Sequence, residues 1–157
     1  MKFLGLIKIT SGRVTVSDPC YEPGIWCASE IKVMPGAYLC LAEEKNRYIS
    51  SIQIRHSRHT EVAPKELNSV VNVDSGQCGF YEKEYYDANQ GGEATDTDTM
   101  YGKVCELSLS DEQAGILDGK CFVSQSGDGD GMYKVYVGTC KVWEQEDEVV
   151  SVKIQFL

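Results

Sequence analysis

The chain is laid out as short alternating segments broken by Gly, Pro, Asn and Asp, the pattern of strands joined by tight turns. Residues 2–9 form the first such segment. Residues 13–17 alternate, with Val14 and Val16 on one face. The Pro35–Gly36 pair leads into a strand at 37–42. Residues 48–56 alternate most clearly: Ile52 and Ile54 point one way, Gln53 and Arg55 the other. VVNV at 70–73 and CGFY at 78–81 flank a DSGQ turn and resemble a hairpin. Residues 101–109 read as a further strand, and 121–125 and 132–138 flank SGDGDG. The last strand, 148–156, puts Val150, Val152, Ile154 and Phe156 on one face.

Helix is scarce in this pattern. Residues 111–118 fit best, with Ser110 as N-cap, Gln113 at the capping-box position and Gly119 as a stop. Short helical turns also fit at 63–69 or 82–88. The whole predicts a mainly β chain: an antiparallel β-sandwich or partly open barrel with one or two short helices. The polar, acidic stretch 87–99 reads as a surface loop, so residues 1–157 are expected to form a single domain.

Composition narrows the function classes. An apolar share of 42% and a charged share of 25% are ordinary for a globular chain and exclude extensive disorder. The net charge of −9 repels phosphate backbones, so general nucleic-acid binding is not expected. Arg55, Arg58 and Lys65 form a local basic spot, either an anion contact or a solvated strand end. No apolar run reaches membrane-span length. Seven cysteines (20, 27, 40, 78, 105, 121 and 140) cannot all pair within one chain, and none shows C-x-x-C spacing. The opening MKFLGLIKITSG lacks a secretory pattern, so the expectation is a cytoplasmic protein with reduced, mostly buried thiols and no metal or other cofactor.

Three turns carry the candidate chemistry: SDPCY at 17–21, VDSGQCGFY at 73–81 and SGDGDGMY at 126–133. Should they share one rim, Asp18, Asp74, Asp128 and Asp130 would cluster and suit a hard cation. The alternative is turn chemistry, with Asp capping its own backbone and Gly supplying positive φ. VDSG also matches the Asp-Ser/Thr-Gly of aspartic proteases, but a single copy would require a dimer. His56 falls on the Ile52/Ile54 face, as a core-edge residue would; with His59 it is the only histidine source. Cys20 or Ser75 as nucleophile has no partner assigned by the sequence. Phosphate-cradling and dinucleotide-binding glycine motifs are missing. Tyr21, Trp26, Phe80, Tyr81, Tyr85, Tyr86, Tyr101 and Tyr133 crowd the turns and suit either a ligand pocket or strand packing.

GRVTVSDPCY (12–21), PGAY (35–38), ISSIQIRH (49–56), VDSGQCGFYEKEYY (73–86), SGDGDGMYKVYV (126–137) and VVSVKIQF (149–156) together resemble a family of small bacterial and phage-borne proteins known as a domain of unknown function. The family's third turn carries a single Gly-Asp-Gly before the aromatic, whereas Gly-Asp is doubled here. The resemblance implies a compact β fold and transfers no catalytic residue.

The expected function is a non-enzymatic binding protein holding a small polar or anionic ligand near the three turns. Arg55, Asp74, Gln77, Tyr81, Asp130 and Tyr133 are the expected lining, with Arg55 or Arg58 meeting the anion and Tyr81 or Tyr133 stacking on a ring. In a phage setting such a protein suits sequestration of a nucleotide-type immune signal. The alternatives are a metal-assisted hydrolase using Asp18, Asp74 and Asp130, and a protein-interaction module, with homo-oligomerisation open under either.

Overall fold

The computed structural model describes residues 1–23, 30–59, 64–141 and 145–157. Trp26, Cys27 and residue 63 lie outside them. Among the described residues the chain forms β1 (Lys2–Ile9), β2 (Arg13–Ser17), β3 (Glu30–Lys32), β4 (Gly36–Lys45), β5 (Tyr48–His56), β6 (Pro64–Val73), β7 (Gln77–Glu82), α1 (Lys83–Ala88), α2 (Met100–Ser108), β8 (Ala114–Leu117), β9 (Cys121–Gln125), β10 (Gly131–Cys140) and β11 (Glu148–Gln155). Six strands make one antiparallel sheet in the order β1-β4-β5-β11-β10-β6, and five make a second in the order β3-β2-β7-β9-β8. The fold is mainly β and sandwich-like, and the sheets do not close into a barrel.

Alternation places the core. Val14, Val16, Ile52, Ile54, Cys78, Phe80, Phe122, Val135, Val152 and Ile154 project between the sheets and are buried there. Each such side chain contributes about 2 kcal/mol of transfer free energy. The other face of the five-stranded sheet is covered as well. Tyr81, Cys121 and Val123 pack on Tyr86 of α1 and on Met100 and Val104 of α2. This second layer is why every residue of β7 is buried, polar ones included.

Four expectations are corrected. Residues 70–73 and 78–81 do not form a hairpin: β6 pairs with β10 in one sheet, while β7 pairs with β2 and β9 in the other. Val71 and Val73 face Cys78 and Phe80 across the same core, so the DSG segment crosses between sheets, and Gly76 makes the turn at φ +71°. Residues 101–109 are helical rather than extended. Thr99 caps α2 by accepting the Gly102 N–H, and Met100, Val104 and Leu107 recur at helical spacing. Residues 111–118 are not a helix. Gln113 takes φ +57°, β8 follows, and Gly119 serves with Asp118 in the β8–β9 turn at φ +63° and +53°. Residues 64–69 belong to β6, whereas the helical turn expected at 82–88 is α1.

Strand register brings the three turns to one end. Ser17 lies opposite Gly79, Gln77 opposite Gln125, and Val73 opposite Gly131. The end of β2 and the β6–β7 and β9–β10 crossovers therefore share one rim.

Candidate functional site

Asp18 ties the first turn to the second. Its side chain is fully buried and accepts four hydrogen bonds: Oδ1 from the Cys20 N–H at 2.9 Å and Ser75 Oγ at 2.6 Å, Oδ2 from the N–H groups of Asp74 and Ser75 at 2.8 and 2.7 Å. A carboxylate surrounded by donors in this way is satisfied without a counter-ion, and its oxygens are committed to the turn. The third turn joins through backbone, the Ser126 N–H donating to Gly76 O at 3.0 Å. Within it, Tyr133 donates its hydroxyl to Gly129 O at 2.5 Å and packs edge-on against Phe156. Gly127 takes φ +60°, a conformation that favours glycine, and a Cβ there would lie 3.1 Å from Phe156.

Between these turns and α2 opens a cleft of about 450 Å³, lined by Ser75, Gly76, Gln77, Gln125 and the 127–129 backbone on one side and by Ala94, Tyr101, Cys105, Ser108 and Leu109 on the other, with Tyr48 at the start of β5. Gln77 is buried and held in one orientation: Oε1 accepts the Ser108 hydroxyl at 2.7 Å and Nε2 donates to Cys105 Sγ at 3.2 Å. Gln125 Nε2 donates to Ser108 O at 2.8 Å. Burial, then the neighbouring Cys105 thiol, pushes the Tyr101 hydroxyl up to about 12, so it stays a protonated donor. Among the described residues the cleft lining contains no Lys or Arg, and Asp128 is its charged member.

The expected site residues separate into groups. Gln77 lines the cleft, and Asp74 and Asp130 stand exposed on the turns beside it. Tyr133 braces its own turn. Tyr81 is fully buried under the helices, with its hydroxyl unpartnered among the described residues. Arg55 lies near the far end of β5, seven residues or about 23 Å of strand from Tyr48. Tyr48, Ser108 and Gln125 were not expected in the lining, and Tyr101 only as one of the aromatics crowding the turns. They arrive from β5, α2 and β9, and local sequence carries no sign of that meeting.

The other candidates resolve as follows. His56 is buried; its Nε2 lies 3.0 Å from Pro35 O and its Nδ1 accepts the Arg58 N–H at 3.1 Å, so both nitrogens of the neutral ring are used. The Cys20 thiol turns toward Asp18, and burial followed by that carboxylate pushes it up to about 12, the opposite of an activated nucleophile. The Ser75 hydroxyl is spent on Asp18. Among the described residues no three His, Cys, Asp or Glu side chains are grouped to hold a metal ion. No helix among the described residues is long and apolar enough to cross a membrane. Compared with known proteins, the chain matches no family model, no curated protein and no solved structure.

Proposed function

We propose that this is a binding protein whose ligand, a small polar molecule, sits in the cleft between the second and third turns and α2. The supporting observation is Gln77, a buried amide held in place by Ser108 and Cys105 at the floor of a cavity whose walls include Tyr48 and Tyr101. A concave site with few oriented polar groups and aromatic walls is the usual form of a small-molecule site. The absence of a cation from its lining among the described residues, and the exposed Asp74, Asp128 and Asp130 around it, favour an uncharged or cationic ligand over an anion. A nucleotide-type signal would fit here through its base and ribose, its phosphates turned to solvent.

The test is native mass spectrometry of freshly purified protein, followed by calorimetric titration of any retained species or of a panel of nucleosides and small amines. The expected result is one-to-one binding that Tyr101→Ala weakens by about tenfold and that Arg55→Gln leaves unchanged. Retention of a divalent ion with activity lost in Asp74→Asn would replace this reading with the hydrolase.

A protein-interaction module is the second reading. Phe3 and Leu6 are 58% and 50% exposed and lie opposite Leu41 and Leu39 at the β1 edge of the six-stranded sheet. A stable dimer in light scattering, broken by Phe3→Ser, would support it.

A further inference from the structure

We infer a small-oxyanion site at the pole of the sandwich opposite the cleft, of the kind that takes a phosphate group. A cavity of about 430 Å³ lies there, lined by Lys8, Arg58 and His59 over a floor of Met34, Pro35, Gly36, Ala37, His56 and Ser57. Among the described residues its lining contains no carboxylate. In a chain of net charge −9, three cationic or protonatable side chains around one cavity depart sharply from the average surface.

The sheet register builds this site. Lys8 lies opposite Ala37, and the Ser57 N–H donates to Ala37 O at 2.9 Å, so β1, β4 and the end of β5 bring Lys8 and the 57–59 segment side by side. His56 fixes where that segment leaves the sheet, because its ring bonds both Pro35 O and the Arg58 N–H. Gly36 is required beneath it: a Cβ there would lie 2.5 Å from His56 Nε2. Arg55 lies opposite Leu39, one row further in on the face that Lys8 shares, and adds a flanking charge. None of Lys8, Arg55, Arg58 or His59 is in an ion pair among the described residues.

The groups suit a tetrahedral oxyanion. A guanidinium grips two oxygens at once, an ammonium supplies a point charge, and an imidazole adds an N–H. Among the described residues, Glu146, Asp147 and Glu148 are the carboxylates of the neighbouring cavity. That cavity is separate and shares Pro35 as its wall, and screening over about 8 Å of saline limits their reach. The site is independent of the cleft, since β5 separates the two by about 26 Å between Tyr48 and His56.

The test is a titration of the intact protein with inorganic phosphate, followed by amide NMR at ionic strength held constant with chloride. Saturable shifts are expected at Lys8, Gly36, Ala37 and residues 57–59. A Lys8→Gln/Arg58→Gln double variant should weaken binding by about tenfold or more, while Lys134→Gln leaves it unchanged. Both replaced side chains are exposed, so the fold is retained and circular dichroism checks this. Adenosine monophosphate and adenosine form a second arm. Tighter binding of the monophosphate than of phosphate, with none of adenosine, marks an organic phosphate as the ligand; equal binding marks the free anion. Shifts that chloride reproduces, that never saturate, or that the double variant leaves intact would overturn the site.

Discussion

Asp18 and Ser75, 57 residues apart in the chain, are joined twice: the Ser75 hydroxyl donates to one carboxylate oxygen at 2.6 Å and its N–H to the other at 2.7 Å. This pair holds the first turn to the second and so sets the wall of the cleft. Asp18→Asn removes the charge and turns an NH2 group toward the Cys20 N–H in one orientation, where the Ser75 hydroxyl can reverse and accept, or toward two backbone N–H groups in the other, so at least one buried donor loses its acceptor. The expected cost is about 3 kcal/mol, against about 1.5 kcal/mol for Ser75→Ala. Asp74→Asn, at an exposed side chain whose N–H is kept, should stay within about 0.5 kcal/mol. Urea unfolding midpoints of the three variants give the order, and an Asp18→Asn protein as stable as Asp74→Asn would contradict the role assigned to Asp18.

Gly102 separates helix propensity from packing. Alanine in place of glycine inside a helix normally stabilises it by about 1 kcal/mol. Here a Cβ would stand 1.9 Å from Asp96 O, a backbone atom that cannot swing aside. Overpacking costs about 1–3 kcal/mol, so the net expectation for Gly102→Ala is a loss of about 1 kcal/mol or more. A raised melting temperature would show that the 96–99 segment yields freely.

Tyr133 was expected to stack on a ligand, and its surroundings give it a structural task. Its hydroxyl closes the third turn on Gly129 O and its ring packs on Phe156. Tyr133→Phe keeps the ring and removes the hydrogen bond, for an expected loss of about 1 kcal/mol. Ligand affinity in the cleft should fall only as far as the turn loosens. A large loss of affinity with unchanged stability would return Tyr133 to the binding site.

The parts of the fold legible in the sequence are those written by local alternation. In strands β5 and β11 the apolar rows Ile52/Ile54 and Val150/Val152/Ile154 recur with period 2 and are the rows found in the core, although Ser51, Gln53 and Ser151 between them are buried too. Pairing was not legible. VVNV and CGFY look alike to a local reading, yet belong to different sheets because both bury valine- or phenylalanine-bearing faces against the same core. Helix α2 was hidden by starting its segment at Tyr101: Thr99 as cap and Met100, Val104 and Leu107 at i, i+4 and i+7 emerge only when the segment begins two residues earlier. The Ser110/Gln113 capping box failed because Gln113 adopts a left-handed turn. In the site, Gln77 was legible from its turn, while Tyr48 and Tyr101 reach the cleft through long-range packing that no spacing encodes.

Alkaline pH tests the buried thiols and phenols together. Burial raises Cys40 from 9.0 to about 12 and lifts Cys78 and Cys121 as well. Burial likewise raises Tyr38, Tyr81 and Tyr86 above 10.0. In the unfolded chain these groups ionise near their ordinary values. Above about pH 9 the native state therefore holds more protons than the unfolded one, and unfolding free energy falls as pH rises. The stability contributed by these neutral groups is fully present below that point and is lost progressively above it. Urea midpoints should be level through neutral pH, decline from about pH 9 as the thiols ionise in the unfolded chain, and decline more steeply from about pH 10 when the tyrosines join. A Cys40→Ala/Cys121→Ala double variant loses packing and starts lower, but its decline between those two points should be shallower, because two of the titrating thiols are gone. Midpoints that hold constant past the tyrosine range, or a double variant with an unchanged slope, would show that these groups are not shielded as their burial implies.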